Sequence, residues 1–118
     1  MTRAALILGA RGVTGTPLAE CLLRQGGWNV YGVSRSAPVY SPGTPTAAFR
    51  HLPVDLTDRP ATRVALAELA DVTHVFYCAN HADGRINAAM MENALDAVEA
   101  AAPGFANLNL MQGTKYYG

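Results

Sequence analysis

A doubly wound α/β sheet, five parallel strands in the order 3-2-1-4-5, is the architecture expected of this sequence. Apolar runs of strand length recur along the chain, segments of helical periodicity separate them, and the first run breaks off at a glycine-rich turn. Alternating strands and helices imply a parallel sheet, and right-handed crossovers leave few topologies for segments of these lengths. The same rule puts the first helix and a proline-rich loop on one face of the sheet and the last two helices on the other.

Ala4 to Leu8 is a continuous apolar run closed by glycine, the pattern of a strand buried on both faces. Thr14 to Arg24 predicts a helix with Leu18, Cys21 and Leu22 on its inner face and Gly26-Gly27 as its stop. Trp28 to Ser34 returns to strand character through Val30, Tyr31 and Val33, which completes a β-α-β unit. Residues 36–49 contain three prolines and a glycine without period and predict a loop. His51 to Leu56 is a third strand. Asp58 and Pro60 then open a helix whose apolar stripe is Val64, Ala65, Leu66 and Leu69.

Val72 to Ala79 predicts the fourth strand. Ile86 to Ala101 has the cleanest helical period, through Ile86, Ala89, Met90, Ala94, Ala97, Val98 and Ala101, with Pro103-Gly104 ending it. Phe105 to Gln112 is the fifth strand. Its Asn107 and Asn109 alternate with Leu108 and Leu110, so one face is expected to be wet or covered by something outside this chain. A long apolar edge strand is normally paired, covered or charged. The expectation is therefore an N-terminal part of a longer protein, truncated after strand five.

Composition narrows the class. At 118 residues, half of them apolar, the chain is one globular unit, a single domain over residues 1–118. Nine basic and nine acidic residues balance, so no whole-molecule field points to nucleic acid or to an anionic membrane surface. Cys21 and Cys78 are too few and too far apart for a disulfide framework and are expected to be core thiols in a reducing compartment. The apolar run before Gly9 is too short for a signal peptide or a membrane span, which points to a cytoplasmic protein. His51, His74 and His81 lack metal-ligand spacing, so no metal site is expected. His81, near Asp83 and Gly84, is either a solvated loop residue or a substrate contact. Nothing in the sequence sets the oligomeric state.

The chemistry lies in the loop Gly9-Ala10-Arg11-Gly12-Val13-Thr14-Gly15, a G-x-x-G-x-x-G pattern between strand and helix. Gly9 allows a tight turn, Gly12 lets backbone approach a diphosphate, and Gly15 lets the helix pack closely on the sheet. The helix N-terminus supplies N–H donors and partial positive charge to the phosphates. This is the fingerprint of a Rossmann dinucleotide-binding domain. The second strand ends in Val33-Ser34-Arg35, where a carboxylate reading the ribose would favour NAD(H). None is present, and Arg35 with Arg11 can clamp a 2′-phosphate, so NADP(H) is expected in preference to NAD(H). Two solvated surface arginines are the alternative.

Asp55-Leu56 closes strand three, where Asp55 either accepts from an adenine amino group or caps the following turn. Ala79-Asn80 closes strand four, where small residues let the backbone run along the cofactor. These positions share the carboxyl edge of the sheet, the edge at which open α/β sheets bind ligands.

The same edge carries Gln112-Gly113-Thr114-Lys115-Tyr116-Tyr117-Gly118, which contains the only lysine of the chain. With the glycine loop, Ser34-Arg35, Asp55-Leu56 and the stretch Asn87 to Asn93, it makes the chain resemble the N-terminal portion of an extended short-chain dehydrogenase/reductase of the NAD-dependent epimerase/dehydratase superfamily. Within that superfamily it is similar to the branch of the plant progesterone 5β-reductase and iridoid synthase type enone reductases and their bacterial relatives. The resemblance implies that Lys115 is catalytic and works with a tyrosine well downstream of Gly118. It also implies that Gln112 and Gly113 lie at the cofactor, with Gly113 and Thr114 shaping the backbone beside the nicotinamide.

The implied reaction is hydride transfer from NADPH to an enone or activated carbonyl, a small-molecule substrate, by the full-length parent. The 118-residue chain alone is expected to be inactive. Y-x-x-x-K is absent, and Tyr116 and Tyr117 follow Lys115 too closely to share a helical face with it. The alternatives are a nucleotide-sugar epimerase or dehydratase, which normally keeps the NAD-type carboxylate and Y-x-x-x-K, and a non-catalytic module that senses NADP.

Overall fold

The computed structural model describes residues 3–10, 15–35, 40–78 and 84–102, together with the backbone of 107–110. In chain order the elements are β1 (Arg3–Leu8), α1 (Gly15–Gln25), β2 (Trp28–Ser34), β3 (Phe49–Pro53), α2 (Arg59–Leu66), β4 (His74–Tyr77), α3 (Gly84–Ala101) and β5 (Asn107–Leu110). The strands are parallel in the order β3-β2-β1-β4, the α/β arrangement expected, and the backbone of β5 runs outside β4 with His74 opposite Asn107. All carboxyl ends therefore meet at one edge. The predicted fifth strand at 105, 106, 111 and 112, the alternation of its side chains, and the Pro103-Gly104 stop lie outside the described residues.

β1 is the centre of the sheet, and its unbroken apolar run serves both faces. Leu6 and Leu8 join Val33, Leu52 and Val75 beneath Leu66, Leu69, Ala94, Ala97 and Val98. Ala5, Ile7 and Val30 point the other way, under Ala19, Leu22 and Leu23 of α1. This follows from the two-residue period of a strand, which sends successive side chains to opposite faces. α1 lies on one face and α2 and α3 on the other, as the crossover rule requires. Gly26 and Gly27 both take a positive φ of 77° and end α1, and Trp28 Nε1 donates to Gln25 Oε1 at 3.0 Å across the junction.

Several details differ from the sequence expectation. α1 buries Gly15, Ala19, Leu22 and Leu23, whereas Cys21 is exposed. Each helical residue advances 100°, so once Gly15 and Ala19 set the inner line, Cys21 falls off it. Cys78 is buried as expected. On α2 the buried positions are Thr62 and Leu66, and Val64 is 76% exposed. Thr62 can be buried because its hydroxyl donates to the Asp58 carbonyl at 2.7 Å. Val64 instead borders an open cleft of about 630 Å³ between α2 and the end of β3.

β3 starts at Phe49, two residues before the predicted His51, and ends at Pro53. Val54 and Leu56 are buried, but they belong to the turn toward α2, not to the ladder. β4 is confined to His74–Tyr77, and α3 begins at Gly84, ahead of Ile86.

α2 starts as its sequence indicates. Asp58 accepts from the Ala61 N–H at 3.0 Å as N-cap, with Pro60 in the first turn. On α3, Asp96 Oδ2 lies 3.5 Å from Arg59 and 3.3 Å from Arg63, two ion pairs whose arginine side chains are exposed. The loop after β2 is tied to α1, with Ser41 N–H donating to Glu20 Oε2 and Arg24 Nη2 to Thr44 Oγ1 at 2.9 Å. Among the described residues no helix is long and apolar enough to cross a membrane.

The two thiols should separate chemically. Burial pushes Cys78 up to about 11, which keeps it protonated and unreactive at neutral pH. Iodoacetamide applied to the native protein is expected to modify Cys21 and to reach Cys78 only after denaturation, as read by peptide mass spectrometry.

Candidate cofactor-binding site

The site begins where β1 ends. Gly9 has φ of 90°, a backbone conformation that side chains disfavour, and its N–H donates to the Val33 carbonyl at 2.8 Å while Ala10 N–H donates to the same oxygen at 3.0 Å. The turn off β1 is thus fastened to β2. At the far end of the loop, a Cβ on Gly15 would overlap the Gly9 carbonyl oxygen and stand 3.0 Å from Ala10 Cα. Only glycine lets α1 start this close to the sheet. Thr16 Oγ1 donates back to the Ala10 carbonyl at 3.1 Å and closes the junction.

This geometry suits an anion. α1 has no acidic residue in its own first turn to offset the positive end of its dipole, and the helix starts beside the carboxyl end of the central strand. Arg11, Gly12, Val13 and Thr14, which complete the predicted loop, lie outside the described residues.

The neighbouring strands supply the rest of the edge. Ser34 ends β2 and pairs with Pro53 of β3. Arg35 follows it, exposed, and lies close enough to Asp55 to help hold that carboxyl below its ordinary value. The larger causes of the shift are the Thr57 hydroxyl and N–H, which donate to Asp55 Oδ1 at 2.7 and 2.9 Å. Asp55 therefore builds a turn, as one of the two sequence readings held, and the same turn presents it beside Arg35. Leu56 sends its side chain into the core, and its carbonyl accepts from Asn93 Nδ2 of α3 at 2.9 Å.

Two residues at this edge escape a reading by spacing. Asn93 is a buried polar residue that anchors the β3–α2 turn to α3, and the sequence marked it only as part of a matching stretch. His51 carries no site signal in the sequence, yet its Nε2 stands 3.0 Å from the Ser34 carbonyl oxygen and 3.1 Å from Ser34 Oγ. The structure thus brings together Gly9, Gly15, Ser34, Arg35 and Asp55. Ala79, Asn80, His81, Gln112, Gly113 and Lys115 lie outside the described residues.

A parallel sheet with a glycine turn seated under the first helix, and polar residues gathered at its carboxyl edge, defines the nucleotide-binding Rossmann class of α/β proteins. The chain belongs to the NAD dependent epimerase/dehydratase family, whose family model matches residues 5–109. It is 36% identical to a 3-oxo-Delta(4,5)-steroid 5-beta-reductase of Arabidopsis thaliana, over 96% of this chain and 31% of the reductase. It is 34% identical to an (S)-8-oxocitronellyl enol synthase of Antirrhinum majus, over 96% of this chain and 30% of the synthase. The chain thus spans under a third of the length of these curated relatives. Among solved structures, a short chain dehydrogenase from Burkholderia cenocepacia in complex with NADP superposes with a TM-score of 0.66 at 20% identity, covering 94% of this chain and 54% of that one, a likeness of fold.

Gly15→Ala is expected to push α1 off the Gly9 carbonyl and to destabilise the protein by about 1–3 kcal/mol, the range for overpacking a tight contact. Chemical denaturation measures it, and an unchanged midpoint would contradict the close seat.

Asp55 gives a pH test. Its folded-state pKa lies below 3.8, so the stability it adds is complete above that value and disappears as pH falls through the lowered one. Thr57→Ala, which removes the larger of the two donors, is expected to move the Asp55 carboxyl up toward 3.8 in an NMR titration.

Proposed function

We propose that this chain is the NADP(H)-binding domain of an oxidoreductase of the short-chain dehydrogenase/reductase type. The reaction is hydride transfer from NADPH to an enone or activated carbonyl, and residues 1–118 form the N-terminal part of the enzyme. The observation that carries the reading is Arg35. It stands exposed at the end of β2, beside the Asp55 turn, at the position where an NAD-specific site places a carboxylate on the ribose. A guanidinium there offers forked donors to a 2′-phosphate.

The residues divide the work by position. The Gly9–Gly15 seat leaves the start of α1 open to a pyrophosphate, Ser34 and Arg35 hold the 2′-phosphate with Arg11, and Asp55 faces the adenine end. Ala79, Asn80, Gln112 and Gly113 are the further cofactor contacts that the family resemblance implies. The cofactor, when bound, supplies the hydride. Lys115 places a cation where negative charge develops on the substrate oxygen, and the partner tyrosine belongs to a segment downstream. Substrate walls belong to a C-terminal part, in keeping with the small share of the relatives' length that this chain matches. The relatives named for steroid reduction and for oxocitronellyl enol synthesis support a small carbonyl-bearing substrate. An epimerase of the nucleotide-sugar kind would keep the carboxylate that Arg35 replaces.

Fluorescence titration of the full-length protein is expected to give tighter binding of NADPH than of NADH. Arg35→Ala should reduce NADPH affinity by about 10- to 100-fold, the loss of one charge-assisted contact, while NADH binding stays nearly constant. Lys115→Ala should leave NADPH binding intact and lower enone reduction by about 100-fold or more. Tighter NADH binding by the unmodified protein would refute the cofactor assignment.

A further inference from the structure

We infer that the hydroxyl of Tyr77 is a binding group for the adenosine end of the dinucleotide, an inference that rests on the cofactor reading above but not on its preference for NADPH. Tyr77 is the last residue of β4, opposite Leu8 of β1, so it stands where the sheet meets its carboxyl edge. It is 5% exposed and belongs to the apolar cluster between the sheet and the helices α2 and α3. The other buried members of that cluster are leucines, valines and alanines. The Tyr77 hydroxyl, shut off from solvent, meets no hydrogen-bond partner among the described residues. Burial raises its pKa above the ordinary phenol value, so at neutral pH the group is an intact O–H donor.

A buried hydroxyl without a partner costs stability, and phenylalanine would fill nearly the same volume without that cost. Packing therefore gives no account of the O–H, whereas a ligand at the edge does. The cluster that holds Tyr77 also contains Leu56, the neighbour of Asp55, and the Leu56 carbonyl is already taken by Asn93 Nδ2. Tyr77 and Leu56 thus share the face of the sheet that carries α2 and α3, opposite the face on which α1 offers its N-terminus to the pyrophosphate. Strand side chains lean along the strand direction, which at the end of β4 is toward the carboxyl edge. A dinucleotide whose phosphates lie at α1 and whose adenosine crosses that edge toward the Asp55 turn brings its base over this cluster. Adenine has two apolar ring faces and ring nitrogens that only accept, so a single phenolic donor set among aliphatic side chains is its complement. The O–H that costs stability in the free protein contributes affinity in the complex.

The test is Tyr77→Phe in the full-length protein, read by affinity and by stability. The dissociation constants of NADPH and NADH are both expected to rise about tenfold, the contribution of one hydrogen bond, with their ratio changed by no more than about twofold because the two cofactors share the adenosine. Adenosine 2′,5′-bisphosphate, which lacks the nicotinamide, should lose affinity by the same factor. The denaturation midpoint of the cofactor-free protein should stay the same or rise, since an unpaired hydroxyl has left the core. A merely structural role would instead lower the midpoint, with affinity falling because the fold is weakened. Unchanged affinity for the cofactors or the bisphosphate, or a lower midpoint, overturns the inference and leaves the cofactor reading intact. An unmodified protein that prefers NADH overturns the NADPH assignment alone, and one that binds neither cofactor removes the reading and this inference with it.

Discussion

The volume that a side chain on Gly15 would need is already filled by the carbonyl oxygen of Gly9, and most of the molecule is arranged around that contact. Because the two backbones touch, α1 is seated directly on the central strand, and Ala19, Leu22 and Leu23 reach Ala5, Ile7 and Val30 beneath it. Seating α1 in turn carries the loop after β2, which is roped to the helix through Glu20 and Arg24. On the strand side, the N–H groups of Gly9 and Ala10 both donate to Val33, so the turn cannot move without β2. The start of α1 and the end of β2 are therefore held at a fixed separation by the same few backbone atoms.

That separation matters because the candidate site is assembled from ends of elements and not from any one of them. A parallel sheet brings its carboxyl termini to one edge whatever the sequence, but it does not decide which side chains stand ready there. Here the choice is made by contacts one step away from the edge. Asn93 holds the Leu56 carbonyl from α3, Thr57 holds Asp55, and His51 holds Ser34. Two of these hydrogen bonds join neighbouring elements and the third lies within the β3–α2 turn, and each fixes a group at or beside the edge.

The division between what the sequence discloses and what it hides follows from the range of the physics. β1 is legible because burial on both faces demands an unbroken apolar run, and Ala4 to Leu8 has one. The Gly9 and Gly15 spacing is legible because backbone approach requires glycine at fixed offsets. Period alone places Leu18, Leu22, Ala65, Leu66 and Leu69 on the core side correctly but misplaces Cys21 and Val64. The seat on Gly9 turns Gly15 and Ala19 fully inward, which leaves Leu18 partly buried and Cys21 exposed. On α2, Val64 reads as part of the apolar stripe yet is exposed, while Thr62, which the stripe did not include, is buried with its hydroxyl donating to the Asp58 carbonyl. His51 and Asn93 are illegible for another reason. Their meaning lies in partners 17 and 37 residues away, and no local pattern encodes a pairing at that distance.

Arg35 and Asp55 show how weak contacts can still be informative about function. An exposed guanidinium near an exposed carboxylate adds little to folding, since water and salt screen the pair. The Asp55 carboxylate is moreover already committed to Thr57, so its Oδ1 gains nothing essential from the arginine. Stability therefore gives no account of why Arg35 stands at the end of β2 beside that turn. What the arrangement does accomplish is to keep a forked cation, tempered by one nearby negative charge, at the edge where the ends of three strands converge. The Arg35 guanidinium offers a phosphate two donors in one plane, while Asp55 offsets its single positive charge. The pair thus adds little to the fold, and the place of Arg35 at the end of β2 bears instead on the cofactor preference proposed above.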